Sequence, residues 1–305
     1  TRTFQETEGE PLILRWAKAL YHYAESATIY IDEDQLLVGR SGKEGRYGIL
    51  YPELDGNTLK EAIEKLPART ISPFAISRED AAIITEQIAP YWEGKTFHED
   101  LAKALTEETT KLTYNPDKEL TSRFIVNETA SFRSSLQWVH DYEIVLEKGF
   151  LGIKKEAEEK LLTLDEYSPI DYTEKLPFLK AEILTCDAII LWANRHGDLA
   201  KELAEKEENP KRREELLKIA DTCHYVPANP PRTFYEAMQA QWFTQMFSRI
   251  EQKTGTIISN GRMDQYLYPF YRRDKEAGII TDEEVQELFE LSLIHISEPT
   301  RHLRI

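Results

Sequence analysis

The sequence predicts a helix-rich α/β fold in which short extended pieces separate the helices. Apolar residues recur at helical spacing through most segments between turn residues. The stretch "ATIYIDEDQLLVGR", residues 27–40, alternates instead in the manner of a strand that enters a turn. A length of 305 residues, with 41% hydrophobic and 30% charged residues, is that of a globular chain with one large domain or two modest ones.

Helical periodicity and capping residues place the elements in order. The predicted helices span 12–27, 77–89, 98–112, 122–149, 178–204 and 212–223, and a strongly apolar helix begins at Thr233. Thr233 with Glu236, and Thr281 with Glu284, are capping-box pairs at helix starts. Between the strand-like stretch and the second helix, glycines recur at a period of three but match no phosphate-binding motif, so we predict a flexible surface loop at Gly39, Gly42, Gly45 and Gly48.

The segment "SFRSSLQWVHDYEIVLEKGFLGI" carries two rows of residues when it is placed on a helix. The apolar row faces a core and comprises Phe132, Leu136, Val139, Leu146 and Phe150. The second row, Arg133, Gln137 and His140, lies about 100° around the helix. It is either an ordinary helix margin, where the Arg stem covers apolar surface, or one side of a binding site. The residues alone favour the margin.

Charge and cysteine content exclude several classes of protein. Acidic residues outnumber basic ones by 54 to 38, and a net charge of −16 argues against nucleic acid and anionic membranes as partners. Cys186 and Cys223 are too few for a disulfide scaffold and fit a reducing compartment. No apolar run reaches the ~20 residues of a membrane span, and no signal-peptide pattern is present. We therefore expect a cytoplasmic protein whose natural N-terminus lies upstream of Thr1.

No cofactor or catalytic motif is evident from the residues themselves. Cys223 and His224 are adjacent, but no second ligand pair stands at zinc-like spacing, so no bound metal is predicted. Cys223 is expected to be a small buried hydrophobe and His196 a structural histidine. The residues alone are therefore compatible with an enzyme and with a catalytically silent binding or assembly module.

The residue pattern of the sequence changes after Leu291. The stretch "SLIHISEPTRHLRI" abandons the acidic helical pattern in mid-turn and adds basic residues without a helix cap. It resembles a translated sequencing adapter. We therefore predict one partial domain over residues 1–291, with no internal boundary, followed by a non-native tail over residues 292–305.

Several motifs resemble the N-terminal half of glycyl radical enzymes of the pyruvate formate-lyase group. They include "HDYEIVLEKGFLGI", the run from "NRHGDLAKEL" to "AMQAQWF", and the specific run "GRMDQYLYP". The resemblance covers residues 1–291 and implies half of a ten-stranded α/β barrel jacketed by helices. It also implies a homodimer and a radical on a C-terminal glycine, installed by a radical S-adenosylmethionine activating enzyme. Both cysteines match other parts of that family, and no C-terminal glycine motif follows Leu291. The radical cysteine and glycine are therefore expected to be absent and this chain to be inactive.

The resemblance also suggests a branch of the family. Diol-dehydratase-like members carry Gly-His just before the Asp-Tyr-Glu segment, whereas this chain reads Leu136-Gln137. Arg133 with Gln137 resembles the sulfonate-binding pair of the isethionate sulfite-lyase branch, which implies that these two residues bind substrate and that isethionate is cleaved to acetaldehyde and sulfite. Dihydroxypropanesulfonate lyase is the nearest alternative. Diol dehydratase lacks its histidine here, and Arg133 would repel the cation of a choline lyase.

Overall fold

The computed structural model describes most of the chain as two compact units. The described residues are 1–40, 52–53, 63, 65–70, 73, 75–109, 138–251 and 258–297. The first unit contains Thr1, 46–137 and 252–257, and the second contains 2–45, 138–251 and 258–305. In chain order the described elements are α1 Arg2–Glu6, α2 Leu12–Ser26, α3 Arg78–Ile83, α4 Ala89–Trp92, α5 Phe97–Ala104, β1 Trp138–Val139, α6 Tyr142–Leu161, α7 Leu176–Lys206, α8 Pro210–Tyr225, α9 Phe234–Glu251, β2 Ile258–Ser259, α10 Met263–Tyr266, α11 Tyr268–Glu276 and α12 Asp282–Ser297, with π-helical segments at Ile84–Ile88 and Asp171–Lys175.

Short capped helices make up the described part of the first unit. The Ser77 hydroxyl accepts a hydrogen bond from the Asp80 amide at 3.0 Å and so caps α3. The π-helical segment joins α3 to α4, so the predicted helix continues to Trp92. Thr96 and Glu99 exchange amide-to-side-chain bonds of 3.2 and 3.3 Å before α5, which is a capping box that the sequence reading missed.

Helix α7 is the centre of the second unit, and α2, α6 and α8 pack against it. Its Trp192 lies 4.8 Å from the His196 ring and 5.5 Å from Phe243 of α9 in edge-to-face contacts. Arg195 of α7 donates to the carbonyls of Ala24 and Ala27, which satisfies carbonyl groups at the C-terminal end of α2. The predicted helices corresponding to α2, α7 and α8 are therefore confirmed, within two residues at each end.

The strand predicted for residues 27–40 is wrong. Residues 28–40 form no strand, and their backbone is bound instead by side chains from two helices. Gln239 of α9 accepts from the Val38 amide at 2.9 Å and donates to the Val38 carbonyl at 2.7 Å. Arg212 of α8 donates to the Gln35 carbonyl at 3.1 Å. Leu37 and Val38 are both fully buried although they are adjacent, so burial here does not follow the alternation of a strand.

The predicted helix over residues 122–149 is wrong at residues 138–141 and confirmed at residues 142–149. Trp138 and Val139 form β1, which pairs in parallel with β2 in the register Trp138 to Ile258 and Val139 to Ser259. Asp141 then caps α6 by accepting from the Ile144 amide at 3.3 Å. The predicted helix end at Gly149 is confirmed, because the backbone there is non-helical, with φ 64° and ψ 168°, and a second helical segment then runs on to Leu161. Residues 122–137 lie outside the described part of the chain.

The two capping boxes predicted from the sequence have different outcomes. Thr281 and Glu284 exchange the two bonds of a capping box, at 2.8 and 3.2 Å, so that prediction is confirmed. Thr233 accepts from the Glu236 amide at 3.2 Å, but Glu236 turns its own side chain to the Arg232 amide.

Helix α12 continues past Leu291 to Ser297, and the Ser292 side chain is buried. Residues 298–305 lie outside the described residues, so the foreign origin of the tail stays a prediction.

Among the described residues, no helix combines the length and the apolar character that a membrane crossing requires.

Candidate functional site

Arg133 and Gln137, the two predicted substrate-binding residues, lie outside the described residues. Trp138, the residue after Gln137, begins β1. His140 lies between β1 and α6, so the predicted helical row of Arg133, Gln137 and His140 does not extend to His140. The His140 ring is half-buried against Tyr142 at 5.6 Å, and burial lowers the pKa of His140. The described residues that come next in the chain after Gln137 are those of β1, which pairs with β2.

Side chains bind three consecutive backbone carbonyls at and just beyond β2, and we call these carbonyls the β2 carbonyl row. The Ile258 carbonyl accepts from the Gln245 amide group at 3.1 Å. The Ser259 carbonyl accepts from the Tyr142 hydroxyl at 3.4 Å. The Asn260 carbonyl accepts from the Tyr266 hydroxyl at 2.7 Å. Donors from α6, α9 and α10 thus converge on one short piece of backbone.

The donors to the β2 carbonyl row are buried. Gln245 and Tyr142 are 4% and 2% exposed, and Tyr266 is 9% exposed. Burial raises the pKa of Tyr142 to about 12 and also raises the pKa of Tyr266, so both phenols keep their protons and remain donors at neutral pH. The two tyrosine rings are 5.4 Å apart.

Gln241 links the two ends of this network. Its amide nitrogen donates to the side-chain oxygens of Asn260 at 3.0 Å and of Gln245 at 3.1 Å. The second bond fixes the Gln245 amide so that its nitrogen faces Ile258. Sequence reading missed these residues, although Gln241 and Gln245, four apart beside Trp242, Phe243 and Met246, were a visible signal.

Gly261 explains part of the specific run "GRMDQYLYP". Its φ is +62°, a conformation that favours glycine, and a Cβ there would lie 2.6 Å from Cγ1 of Val139. The chain can therefore turn after β2 while β1 approaches closely. Arg262 and Asp264, the charged residues of the run, form an exposed ion pair at 3.2 Å. The described part of the run thus shapes the strand pair rather than supplying a reactive group.

Neither cysteine has the surroundings of an activated nucleophile. Cys186 and Cys223 are free thiols buried inside α7 and α8. Burial raises the pKa of Cys186 to about 12 and raises the pKa of Cys223 further, so both thiols stay protonated and inaccessible. The expectation that Cys223 is a buried hydrophobe is confirmed. Within the described residues, no group of three or more His, Cys, Asp or Glu side chains is placed to hold a metal ion.

His196 is also structural, as the sequence predicted. Its side chain is fully buried, and its Nδ1 lies 2.8 Å from the Trp192 carbonyl. Nε2 has no hydrogen-bond partner among the described residues. Burial lowers the pKa of His196 to about 4, so the ring is neutral at physiological pH.

An open cleft of about 610 Å³ lies elsewhere in the second unit. Its lining comes mainly from α8, α11, α12 and the segments around Asp34 and Tyr235, and includes Lys211 and Lys218 together with several carboxylates. No residue of β1 or β2 lines this cleft. It is therefore distinct from the strand pair that follows Gln137.

Comparison with known proteins places this geometry in a family. The family model described as pyruvate formate lyase-like matches residues 1–304. The chain is 61% identical to isethionate sulfite-lyase of Oleidesulfovibrio alaskensis over 298 residues, which are 98% of this chain and 36% of that protein. It is 29% identical to (2S)-3-sulfopropanediol dehydratase of Klebsiella oxytoca over 99% of this chain and 36% of the relative.

Solved structures agree with the fold prediction. The glycerol-bound B12-independent glycerol dehydratase of Clostridium butyricum matches with a TM-score of 0.86 and 36% identity, over 96% of this chain and 36% of that one. The chain thus spans about a third of the length of the relatives it matches, and its helix-rich fold is the corresponding part of theirs. On this similarity in sequence and structure, the chain belongs to the pyruvate formate lyase-like family of glycyl radical enzymes.

Proposed function

We propose that the protein containing this chain is a C–S lyase that cleaves isethionate to acetaldehyde and sulfite. The observation that carries the proposal is the 61% identity to isethionate sulfite-lyase over 98% of the chain. Identity is 36% to the glycerol dehydratase and 29% to the sulfopropanediol dehydratase over similar spans. The chain therefore shares most with a relative named for sulfite loss.

The reaction needs no external oxidant or reductant. A hydrogen atom leaves the hydroxyl-bearing carbon, the neighbouring C–S bond breaks with release of sulfite, and the hydroxyl proton is lost. A hydrogen atom then returns to the carbon that carried sulfur, which gives acetaldehyde. The family resemblance assigns the radical chemistry to a glycine and a cysteine other than Cys186 and Cys223.

Arg133 and Gln137 are proposed to bind the sulfonate. A sulfonate is a permanent anion whose oxygens accept several hydrogen bonds. The guanidinium of Arg133 offers a charged donor fork that does not titrate, and the Gln137 amide adds neutral donors. One full charge together with a neutral donor recognises the anion without retaining the departing sulfite as strongly as two cations would.

The alternative substrates differ in the chemical groups that a binding site must recognise. Dihydroxypropanesulfonate carries the same anion but needs room for an additional hydroxymethyl group. A diol lacks the anion, and choline carries a cation that Arg133 would repel. A catalytically silent binding or assembly module would bind substrate or partners without releasing sulfite.

The remaining parts of the proposal follow from the family. We assign the protein a glycyl radical, a radical S-adenosylmethionine enzyme as its activating partner, no bound metal and a homodimeric assembly. Two free cysteines and a net charge of −16 support a cytoplasmic protein that binds neither nucleic acid nor membrane.

The test uses the complete gene product that contains this chain. It is activated anaerobically with the matched activating enzyme and S-adenosylmethionine, and then given isethionate, 2,3-dihydroxypropane-1-sulfonate, propane-1,2-diol or choline. We expect acetaldehyde and sulfite in equal amounts from isethionate and the highest kcat/KM for that substrate. A preference for the diol or for choline, or no turnover by a protein that carries the radical, would overturn the proposal.

A further inference from the structure

We propose that the open cleft of about 610 Å³ is a docking site for a basic, amphipathic segment of a partner protein. The segment places aliphatic side chains in the cleft and lysine or arginine side chains on its rim. Every residue that lines the cleft belongs to the second unit. The inference goes beyond the proposed function, because no residue of the cleft has a role in isethionate cleavage.

The floor of the cleft is apolar. Tyr235 of α9, Ile280 before α12 and Leu288 of α12 line it and are 6%, 9% and 4% exposed. Ile279 also lines the cleft but is 61% exposed, so it lies at the mouth. Clefts of about 300–1,000 Å³ with an apolar lining are the usual form of binding sites in proteins. An aliphatic side chain that enters this cleft covers apolar surface that is otherwise in contact with water.

The rim of the cleft carries negative charge without a counterion. Asp34, Glu214 of α8 and Glu287 of α12 line the cleft and are exposed. In the part of the chain that the structure describes, these three side chains have no hydrogen-bond or ion-pair partner. A lysine or arginine side chain that reaches the rim therefore gains a charge-assisted hydrogen bond without displacing an existing partner.

The lysines of the lining offset this charge only in part. Lys218 lies over the Tyr235 ring, 4.2 Å from its centroid, and Lys211 pairs with Glu215 at 3.7 Å. The whole lining carries six carboxylates against two lysines. Charge complementarity therefore selects a basic partner and disfavours a phosphate-bearing ligand.

The combination of floor and rim selects an amphipathic segment among basic ligands. A small cation satisfies the rim but leaves the apolar floor in contact with water. A purely aliphatic ligand fills the floor but leaves the carboxylates unpaired. A second copy of this chain brings its own net charge of −16 and is repelled. A segment with aliphatic side chains between basic ones matches both parts of the cleft.

The test measures the binding of a fluorescein-labelled peptide to the complete gene product by fluorescence anisotropy. The probe is Arg-Lys-Leu-Leu-Lys-Arg, in which two leucines stand between basic pairs. The peptide Glu-Glu-Leu-Leu-Glu-Glu keeps the leucines and reverses the charge. The peptide Arg-Lys-Ser-Ser-Lys-Arg keeps the charge and loses the aliphatic side chains. Unlabelled spermidine is the competitor that represents a small cation.

Matched variants locate the binding on the protein. The rim set neutralises the three unpaired carboxylates, singly and together: Asp34→Asn, Glu214→Gln and Glu287→Gln. The control set changes the net charge equally at three exposed carboxylates that do not line the cleft: Glu143→Gln, Glu166→Gln and Glu205→Gln. Ile279→Ser removes the exposed aliphatic side chain at the mouth.

We expect saturable binding of the probe and binding at least about tenfold weaker for both other peptides, equivalent to about 1.4 kcal/mol. The combined rim set should weaken binding of the probe about tenfold, whereas the control set should leave it within about twofold. Ile279→Ser should weaken it about threefold with an unchanged Tm, because its side chain is exposed in the free protein.

Three results would overturn the docking site. Equal losses in the rim and control sets show general attraction to an acidic protein. Equal binding of the serine-containing peptide, or full competition by spermidine, assigns the cleft to small cations. An absence of saturable binding shows that the cleft takes no such segment in the complete gene product. None of these results affects isethionate turnover, so the proposed function is tested separately.

Discussion

At the scale of single residues, we expect Arg133 and Gln137 to contribute unequally to the proposed function. We expect Arg133→Ala to lower kcat/KM for isethionate, because a charged set of hydrogen bonds is lost. The transition state should lose about 2–5 kcal/mol of stabilisation. Gln137→Ala should cost about 1–3 kcal/mol, since it removes neutral donors. Steady-state kinetics of the complete, activated protein measure both.

Arg2→Ala is the control for this pair of substitutions. Arg2 is an exposed arginine that pairs with Glu6 at 2.8 Å, so its loss should change kinetics by less than about 0.5 kcal/mol. If Arg133→Ala behaves like Arg2→Ala, Arg133 is an ordinary helix-margin residue and the sulfonate assignment is wrong.

His196 gives a prediction about pH. Its pKa in the folded protein is lowered to about 4 from an ordinary value of 6.5, because burial disfavours the charged ring. The unfolded chain therefore takes up a proton before the folded chain does. The neutral, buried His196 ring therefore makes its full contribution to the free energy of unfolding above pH 6.5, and this contribution is lost as the pH falls through about 4.

Unfolding titrations at pH 7 and pH 4 test this contribution. A pKa shift of this size lowers the free energy of unfolding by about 3 kcal/mol between pH 7 and pH 4. His196→Leu should remove that part of the acid destabilisation, whereas His224→Gln, at an exposed histidine paired with Asp198, should leave most of it. Equal pH profiles for wild type and His196→Leu would contradict the assignment.

Sequence alone predicted the roles of some of these residues and missed others. A histidine and a cysteine within apolar helical patterns were correctly predicted as buried structural residues at His196 and Cys223. Gln239 was missed because its partner Val38 lies 201 positions away, and periodicity carries no information about such distant pairs. Arg133 and Gln137 remain predictions, supported by residue type and family resemblance.

At the scale of elements, α6 shows how a neighbouring segment reshapes a helix. The sequence predicted a helix end at Gly149. The φ of Gly149 is +64°, and the amides after the kink donate outside the helix, from Phe150 to the Pro227 carbonyl at 2.9 Å and from Leu151 to the Ala228 carbonyl at 3.0 Å. Gly149 therefore ends the first helical segment, as the sequence predicted, and the Pro227 and Ala228 carbonyls accept hydrogen bonds from the first amides of the segment that follows.

Gly149→Ala should therefore be strongly destabilising. A methyl group would meet the Ala228 carbonyl oxygen and would lie 2.7 Å from the Asn229 backbone, in addition to the strain of a positive φ. We expect a loss of about 2–5 kcal/mol in the free energy of unfolding. Gly278→Ala is the control, because Gly278 has a φ of +67° with nothing within 4 Å of an added Cβ. It should lose about 1–2 kcal/mol.

Urea titration of both variants measures this difference. Similar losses for Gly149→Ala and Gly278→Ala would show that backbone conformation alone matters and that residues 227–229 yield to the added methyl group.

Element length explains which elements the sequence predicted. Helices α2, α7 and α8 are long enough for the apolar period to repeat several times, and they were placed closely. Strands β1 and β2 have two residues each, so no alternation can develop. Val139 fitted the apolar helical row by chance of spacing, although its side chain is 54% exposed in a strand. Tertiary pairing with β2 decided the local structure there.

At the scale of the whole molecule, distant segments combine into each compact unit. The second unit joins residues 2–45, 138–251 and 258–305. Composition read along the chain detects a boundary when one stretch of sequence forms one unit, and it shows none here. Family resemblance supplied what local reading could not, because it carries over a complete fold with its long-range contacts, and the match to the glycerol dehydratase structure confirms it.

The last prediction concerns the activity of the 305-residue chain itself. We propose that the radical cysteine and the radical glycine of the family both lie outside this chain, since Cys186 and Cys223 are buried inside helices. We expect no glycyl radical signal in electron paramagnetic resonance and no sulfite when this chain is incubated anaerobically with the activating enzyme, S-adenosylmethionine and isethionate.

The complete gene product under the same conditions is the positive control for this prediction. Cys186→Ser and Cys223→Ser in that product should leave turnover per folded molecule unchanged, because both thiols are buried inside helices and are proposed to take no part in the radical chemistry. Sulfite that depends on isethionate and is released by the 305-residue chain would show that the chemistry lies within these residues after all. Loss of turnover in a folded Cys186→Ser or Cys223→Ser protein would identify which thiol performs it.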